Sequence, residues 1–196
     1  MDALPESRSD LESARERLVA ELREHALVIG AVTLTSGARA EYYVDAKRAI
    51  LRPVAFAALG TLVAAQARAC DASAVGGVPV SAIPVACAAL IAPLAPEKMF
   101  IVRKERKEHG LQRWIEGPPL DPGERCLIVE DVVTTGGSTI EAVERVRSEG
   151  LPVAGVVSVL DRLAGGGEAI QRALGGDAPY TALSTIDEVY PDRPDR

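Results

Sequence analysis

The sequence is poor in the residues from which most metal and redox centres are built. It has two histidines and three cysteines, Cys70, Cys87 and Cys126, with no CxxC pair. That spacing excludes a structural zinc and a disulfide framework and fits free, buried thiols in a reducing cytosol. No Gly-Lys-Ser/Thr loop and no GxSxG elbow occur, so neither a Walker-type nucleotidase nor a serine hydrolase has a starting point. Basic charge is also scarce: 22 Lys and Arg face 28 Asp and Glu, for a net charge of −6. A broad electrostatic grip on nucleic acid is therefore excluded, and any anionic ligand needs a local basic cluster. Residues 1–10 lack a basic segment followed by an apolar one, so no signal peptide is expected. Residues 75–96 carry no charge, but Pro79, Pro84, Pro93, Pro96, Gly76 and Gly77 would break a spanning helix. A buried strand, a turn and a short core helix are expected there, in a protein that does not enter a membrane.

What remains is ordinary globular usage, 47% hydrophobic and 26% charged over 196 residues, which excludes a disordered or fibrous chain. The length predicts one domain, 1–196, able to bury roughly 70% of its unfolded surface. Ser9 and Glu12 read as a capping box ahead of Leu11, Ala14, Leu18 and Leu22, predicting a helix to Ile29 with Gly30 as its stop. A hairpin is expected from Val32-Thr33-Leu34 and Tyr42-Tyr43-Val44 around Ser36-Gly37. Pro53 opens a helix to Ala69. Strands are then expected at 74–77, 100–103, 126–129 and 153–160, with helices at 82–94 and 138–148. Apolar strands interleaved with helices predict an α/β fold, a central parallel sheet flanked by helices on both faces. Residues 104–123 interrupt the rhythm with a long, charged, glycine-bearing segment, and residues 190–196 read as a frayed tail.

The most informative segment runs from Cys126 through Glu130 and Asp131 to Thr134-Thr135-Gly136-Gly137-Ser138-Thr139. An apolar strand enters two acids, then hydroxyl and glycine residues, then a helix. The glycines admit a ligand close to the backbone, and the helix start offers unpaired N–H groups at its positive end, a site for one phosphate. Two carboxylates beside an anion site need partners of their own, and vicinal sugar hydroxyls supply them. A ribose 5′-phosphate satisfies both halves. The plain alternative is an acidic strand end followed by an ordinary loop. At these residues the sequence resembles the type I phosphoribosyltransferases. The resemblance implies that Thr134, Thr135, Gly136, Gly137, Ser138 and Thr139 hold the 5′-phosphate of phosphoribosyl diphosphate, with Glu130 and Asp131 on the ribose hydroxyls.

Only four lysines occur, and Lys104 and Lys107 both fall within Arg103-Lys-Glu-Arg-Lys-Glu-His109-Gly110. Composition alone leaves a solvated surface loop open, while neutralisation of a departing diphosphate is the functional reading. Here the resemblance narrows to the orotate phosphoribosyltransferases, whose mobile loop carries Arg-Lys-x-x-Lys-x-His-Gly. It implies transfer of phosphoribosyl to orotate in UMP biosynthesis, with Mg2+ held mainly through substrate and water. Arg103, Lys104 and Lys107 would stabilise the diphosphate, His109 would donate a proton or hydrogen bond, and Asp131 joins this catalytic set. A homodimer is implied, each 104–117 lid closing on its neighbour's site, in the cytoplasm, with no nucleic-acid partner. Tyr42 and Tyr43 would line the orotate pocket, and Arg162 of Asp161-Arg162 would meet the orotate carboxylate. A small hood would form from residues 9–50 and the C-terminal residues. The family's lysine beside Ser36-Gly37 is replaced by Thr35 and Ala38, with Lys47, Arg39 or Arg48 as nearby cations. The competing functions are a purine-base phosphoribosyltransferase and a non-catalytic sensor of phosphoribosyl diphosphate. Trp114 is read as packing in the lid stem, and His25 as a surface residue at a helix end.

Overall fold

The computed structural model describes residues 7–33, 39–105 and 114–195. Lys107, His109 and Gly110 of the basic run, and Ser36 and Gly37 of the hairpin turn, lie outside the described residues.

Helix α1 (Arg8–His25) is capped by Ser7, one residue pair earlier than expected. The Ser7 Oγ accepts from the Asp10 N–H and the Asp10 carboxylate accepts from the Ser7 N–H, satisfying two orphan donors reciprocally. Ala14, Leu18 and Leu22 are buried, as their spacing predicts. The helix also stops earlier, at His25. Residues Leu27–Thr33 form strand β1, paired antiparallel with β2 (Arg39–Val44), so Ile29 lies opposite Tyr42. Ile29 and Gly30 therefore belong to a strand, with Gly30 in its register shift rather than at a helix end. Val28, Ile29 and Val32 are β-branched, and pairing with β2 overrides the helical periodicity.

A short α2 (Lys47–Ile50) leads into α3 (Pro53–Ala69), which starts on Pro53. Strand β3 (Ala74–Gly77), helix α4 (Ala82–Leu90) and strand β4 (Lys98–Val102) follow. Helix α4 falls short of the expected Leu94 because Pro93 has no N–H to give the Ala89 carbonyl. Next come β5 (Ile115–Glu116), β6 (Cys126–Val133), α5 (Gly137–Ser148) and β7 (Val153–Asp161). Then α6 (Gly166–Leu174), β8 (Tyr180–Thr185) and α7 (Ile186–Val189) complete the body, three elements without a sequence counterpart above. No helix among the described residues is long and apolar enough to cross a membrane.

The main sheet has the order β5-β4-β3-β6-β7-β8 and is parallel except at the β4–β5 edge. Along β6, Leu127 and Val129 pack into a core with α1, α3 and α4, while Cys126 and Ile128 pack into a second with α5 and α6. Burial on both faces is why this strand reads as an uninterrupted apolar run. The chain proceeds outward from β3 to β4 in one direction and from β6 to β7 and β8 in the other. The β3–β6 boundary is thus a topological switch point, and ligands of open α/β sheets sit beyond the strand ends there. Gly77 closes β3 at this boundary, where an added Cβ would lie 2.3 Å from the Val129 carbonyl oxygen.

The segment after α7 is docked, not frayed. Tyr190 packs edge-on against Tyr42, ring centroids 5.2 Å apart, and Arg193 pairs with Asp187.

Because backbone, not a flexible side chain, blocks position 77, Gly77→Ala should destabilise the fold by at least about 2 kcal/mol. A urea unfolding midpoint equal to that of the parent chain would contradict this packing.

Candidate active site

Strand β6 is longer than its apolar run and carries both acids within it, so Glu130 and Asp131 are in the central sheet rather than in the following loop. They are 8% and 7% exposed, which makes each need a partner. The Glu130 Oε2 accepts from the Ser138 and Thr139 hydroxyls, both at 3.2 Å, and its Oε1 accepts from the Asp131 N–H. Asp131 Oδ1 accepts from the Val132 N–H at 2.8 Å, and its Oδ2 lies 3.6 Å from the Lys47 Nζ. Burial, followed by the neighbouring Asp131 charge, pushes the Glu130 carboxyl up to about 7. Lys47 also pairs with Asp45 at 2.8 Å, and Asp45 first, then Asp131, holds the ammonium above its ordinary pKa.

Beyond the acids, the chain turns through Thr134, Thr135 and Gly136 into α5. Gly136 has φ +80°, and a Cβ there would meet the Gly166 carbonyl oxygen at 2.9 Å. The loop is therefore pressed against the start of α6, in a conformation that favours glycine. No side chain caps α5 and its first turn has no acid. Residues 132–139 line a cavity of about 180 Å³ at this bare helix start, where N–H groups and the helix dipole attract an anion. Thr134, Thr135 and Gly137 are exposed to it, but Ser138 and Thr139 direct their hydroxyls to Glu130 instead. Those two side chains tie the helix start to the strand, while Ser138 remains exposed at the cavity beside Thr134 and Thr135.

Arg162 follows β7, and its N–H donates to the Val133 carbonyl, placing it beside the end of the acid-bearing strand. Asp161 shapes that turn, accepting from the Leu163 N–H at 2.7 Å and from the Tyr180 hydroxyl at 2.8 Å. The Arg162 guanidinium lies over the Tyr42 ring, 5.3 Å from its centroid, and donates to its hydroxyl at 3.1 Å. Burial raises the Tyr42 phenol above its ordinary pKa, so it stays protonated. Tyr43, next along β2, is 39% exposed, and only Tyr42 joins Arg162.

Arg103 and Trp114 form the stem of the charged loop. Strand β5 pairs antiparallel with β4, and the Arg103 N–H donates to the Trp114 carbonyl at 2.9 Å. The Arg103 guanidinium turns to Glu116, while Lys104 is exposed. Arg145 stacks on the Trp114 ring at 4.8 Å and donates to the Arg103 carbonyl, and Glu149 accepts from the Trp114 N–H. Trp114 is thus stem packing, as its position suggested. Burial raises the Cys70 thiol and lifts that of Cys126 to about 12, so both stay protonated.

The structure therefore gathers Glu130, Asp131, Thr134–Thr139, Arg162 and Tyr42 around the β6–β7 strand ends. Two partners escaped the sequence reading: Lys47 as a neighbour of Asp131, and the segment reaching Arg162 from beyond α7. Neither has a local motif, since each meets its partner across the fold.

A carboxyl with a folded pKa near 7 and an ordinary value of 4.5 keeps its proton in the folded chain after the unfolded chain has lost it. Stability therefore falls as pH rises from about 4.5 to about 7 and stays lower above that. Glu130→Gln should leave stability nearly unchanged at pH 5 and raise it by about 1 kcal/mol or more at pH 8. Urea titrations at the two pH values check this, and an equal change at both would place the charge penalty elsewhere.

Residues 72–179 match the model of the phosphoribosyl transferase domain. An orotate phosphoribosyltransferase of Corynebacterium glutamicum is 45% identical over 90% of this chain and 94% of its own length. Its counterpart in Streptomyces avermitilis is 41% identical over 91% of this chain and 98% of its own length. Among solved structures, Mycobacterium tuberculosis orotate phosphoribosyltransferase in complex with 5-phospho-alpha-D-ribosyl 1-diphosphate superposes with a TM-score of 0.74 at 36% identity, covering 90% of this chain and 98% of that one. The family match covers the acid-bearing strand and the loop that follows it, and the relatives align over about nine-tenths of the chain, so this chain belongs to the phosphoribosyltransferase family, among the orotate phosphoribosyltransferases.

Proposed function

We propose that this chain transfers the phosphoribosyl group of phosphoribosyl diphosphate to orotate, giving orotidine 5′-monophosphate and diphosphate. The observation that carries the reading is one strand end, where a buried acid pair adjoins an uncapped helix start and Arg162 directly follows the next strand. The α5 N-terminus holds the 5′-phosphate, with Thr134 and Thr135. Glu130 and Asp131 accept from the ribose hydroxyls, replacing water around buried carboxylates with fixed partners. Arg162 pairs with the orotate carboxylate, and Tyr42 supports the guanidinium from below.

In the reaction the C1–O bond to diphosphate breaks and a bond from orotate nitrogen to C1 forms. The sugar carries positive charge between the two events, which the nearby carboxylates favour. As the new bond forms, the orotate ring nitrogen gives up its proton, which passes to the departing diphosphate or to water, while the orotate carboxylate, already ionised, stays on Arg162. Lys104 and Lys107 neutralise the departing diphosphate, His109 donates a proton or hydrogen bond to it, and Arg103 secures the loop stem through Glu116. The described residues contain no cluster of three metal-ligating side chains, whereas the Glu130–Asp131 pair offers the hard oxygens that suit a hydrated Mg2+ reached through ribose and water. When bound, that ion offsets charge on the diphosphate.

The remaining assignments belong to the same proposal. Residues 1–196 form one domain, with residues 9–50 contributing to a hood. The 104–117 loop closes as a lid on the neighbouring subunit of a homodimer, in the cytoplasm.

Initial rates with orotate, uracil, adenine and hypoxanthine test the base assignment, and only orotate should support turnover. Arg162→Ala removes a charged hydrogen-bond partner worth about 2–3 kcal/mol, so it should raise the KM for orotate far more than that for phosphoribosyl diphosphate. Equal effects on both substrates would make Arg162 structural.

The shared lid predicts complementation. Lys107→Ala and Asp131→Ala chains, each nearly inactive alone, should form mixed dimers with one intact site. Random exchange makes about half the dimers mixed, so activity should approach roughly one quarter of wild type. No recovery after confirmed subunit exchange would mean that the lid serves its own subunit.

A further inference from the structure

Arg162 already faces a carboxylate supplied by the chain itself. After α7 the backbone returns across β2, held by Tyr190 against the Tyr42 ring and by Arg193 against Asp187. Arg193 is 10% exposed, so this part of the strap is firmly seated. Two residues later Asp195 accepts from the Tyr42 hydroxyl, at 3.0 Å through Oδ1 and 2.9 Å through Oδ2. Its Oδ1 also lies 3.3 Å from the Arg193 Nε, and its Oδ2 lies 4.0 Å from the Arg162 Nη2, so Arg193 steadies the carboxylate that faces Arg162. A base carboxylate would offer the same two side chains the same chemistry.

We propose that Asp195 is an internal competitor for the base subsite, occupying Arg162 and Tyr42 until a ligand carboxylate displaces it; this rests on the reading of Arg162 as the partner of the orotate carboxylate. The contact is built to yield. The Asp195 side chain is 53% exposed and its approach to Arg162 is long, and exposed pairs of this kind are weak. A ligand carboxylate set in the plane of the guanidinium makes two parallel hydrogen bonds and wins the exchange. A base without a carboxylate offers Arg162 nothing in return for Asp195, so the strap selects for acidic bases as well as weakening apparent affinity for them.

Occupancy by Asp195 lowers the fraction of molecules with a competent base subsite, and apparent affinity falls by that fraction. Asp195→Ala removes the carboxylate while leaving the Tyr190–Tyr42 and Arg193–Asp187 contacts, and deletion of residues 191–196 removes the strap itself. At saturating phosphoribosyl diphosphate, each should lower the KM for orotate by at least about 3-fold, without a matching change in the KM for phosphoribosyl diphosphate. In an Arg162→Ala background, Asp195→Ala should cause no further change in the orotate KM, because the competition for a ligand carboxylate runs through Arg162. An orotate KM that is unchanged or raised by Asp195→Ala overturns the proposal, the latter making the strap a wall of the pocket. The same decrease with Arg162 already removed also overturns it. Should Arg162→Ala alone leave the orotate KM unmoved, the base-side assignment falls and takes the competitor with it, an outcome distinct from failure of the strap alone.

Discussion

Two carboxylates buried side by side in the middle of a sheet are the constraint to which the rest of this molecule answers. Glu130 and Asp131 repel each other and are stripped of water, and Glu130 responds by holding its proton toward neutral pH. Each neighbour offsets part of that burden. Ser138 and Thr139, in the first turn of α5, direct their hydroxyls back at Glu130, and Lys47 approaches Asp131 from the β2–α2 side. The same bonds that satisfy Glu130 tie the start of α5 to the strand end. They therefore fix the intervening loop, and with it the cavity where helix N–H groups stand open. A sugar phosphate suits this place because it brings donors for the acids and an anion for the helix.

Helix α5 links two regions of the site. Its N-terminus borders the phosphate cavity, while Arg145 and Glu149 near its other end grip Trp114 and the Arg103 carbonyl at the stem of the charged loop. Position of the stem and position of the cavity are thereby set by one rigid element. On the opposite side, Tyr42 joins three separate parts of the chain: its own hairpin, Arg162 beyond β7, and the strap that ends on Asp195. Residues more than a hundred positions apart thus meet around the Arg162 guanidinium, with the Asp195 carboxylate among them.

The sequence by itself determined the parallel α/β core, because strands buried on both faces must be continuously apolar, as at residues 74–77 and 126–129, and helices between them must alternate with those runs. It determined the acid-bearing strand end and the glycine turn into α5 as well, since acids, glycines, hydroxyls and a helix start follow one another within fourteen residues and local order is enough to specify them. Only the tertiary structure decided the rest. The helical spacing after Leu22 yielded to β1–β2 pairing, because strand hydrogen bonds to residues 39–44 outweigh a local preference. Ser138 and Thr139 read in sequence as loop hydroxyls, and the fold adds a contact that the sequence does not announce, their hydrogen bonds to Glu130. Residues 190–195 look like a polar tail, yet Tyr42, Asp187 and Arg162 give them partners that no nearby residue could announce. Local patterns encode which groups are present and how the adjacent backbone turns; which charge meets which across the strand ends follows from packing of the whole chain.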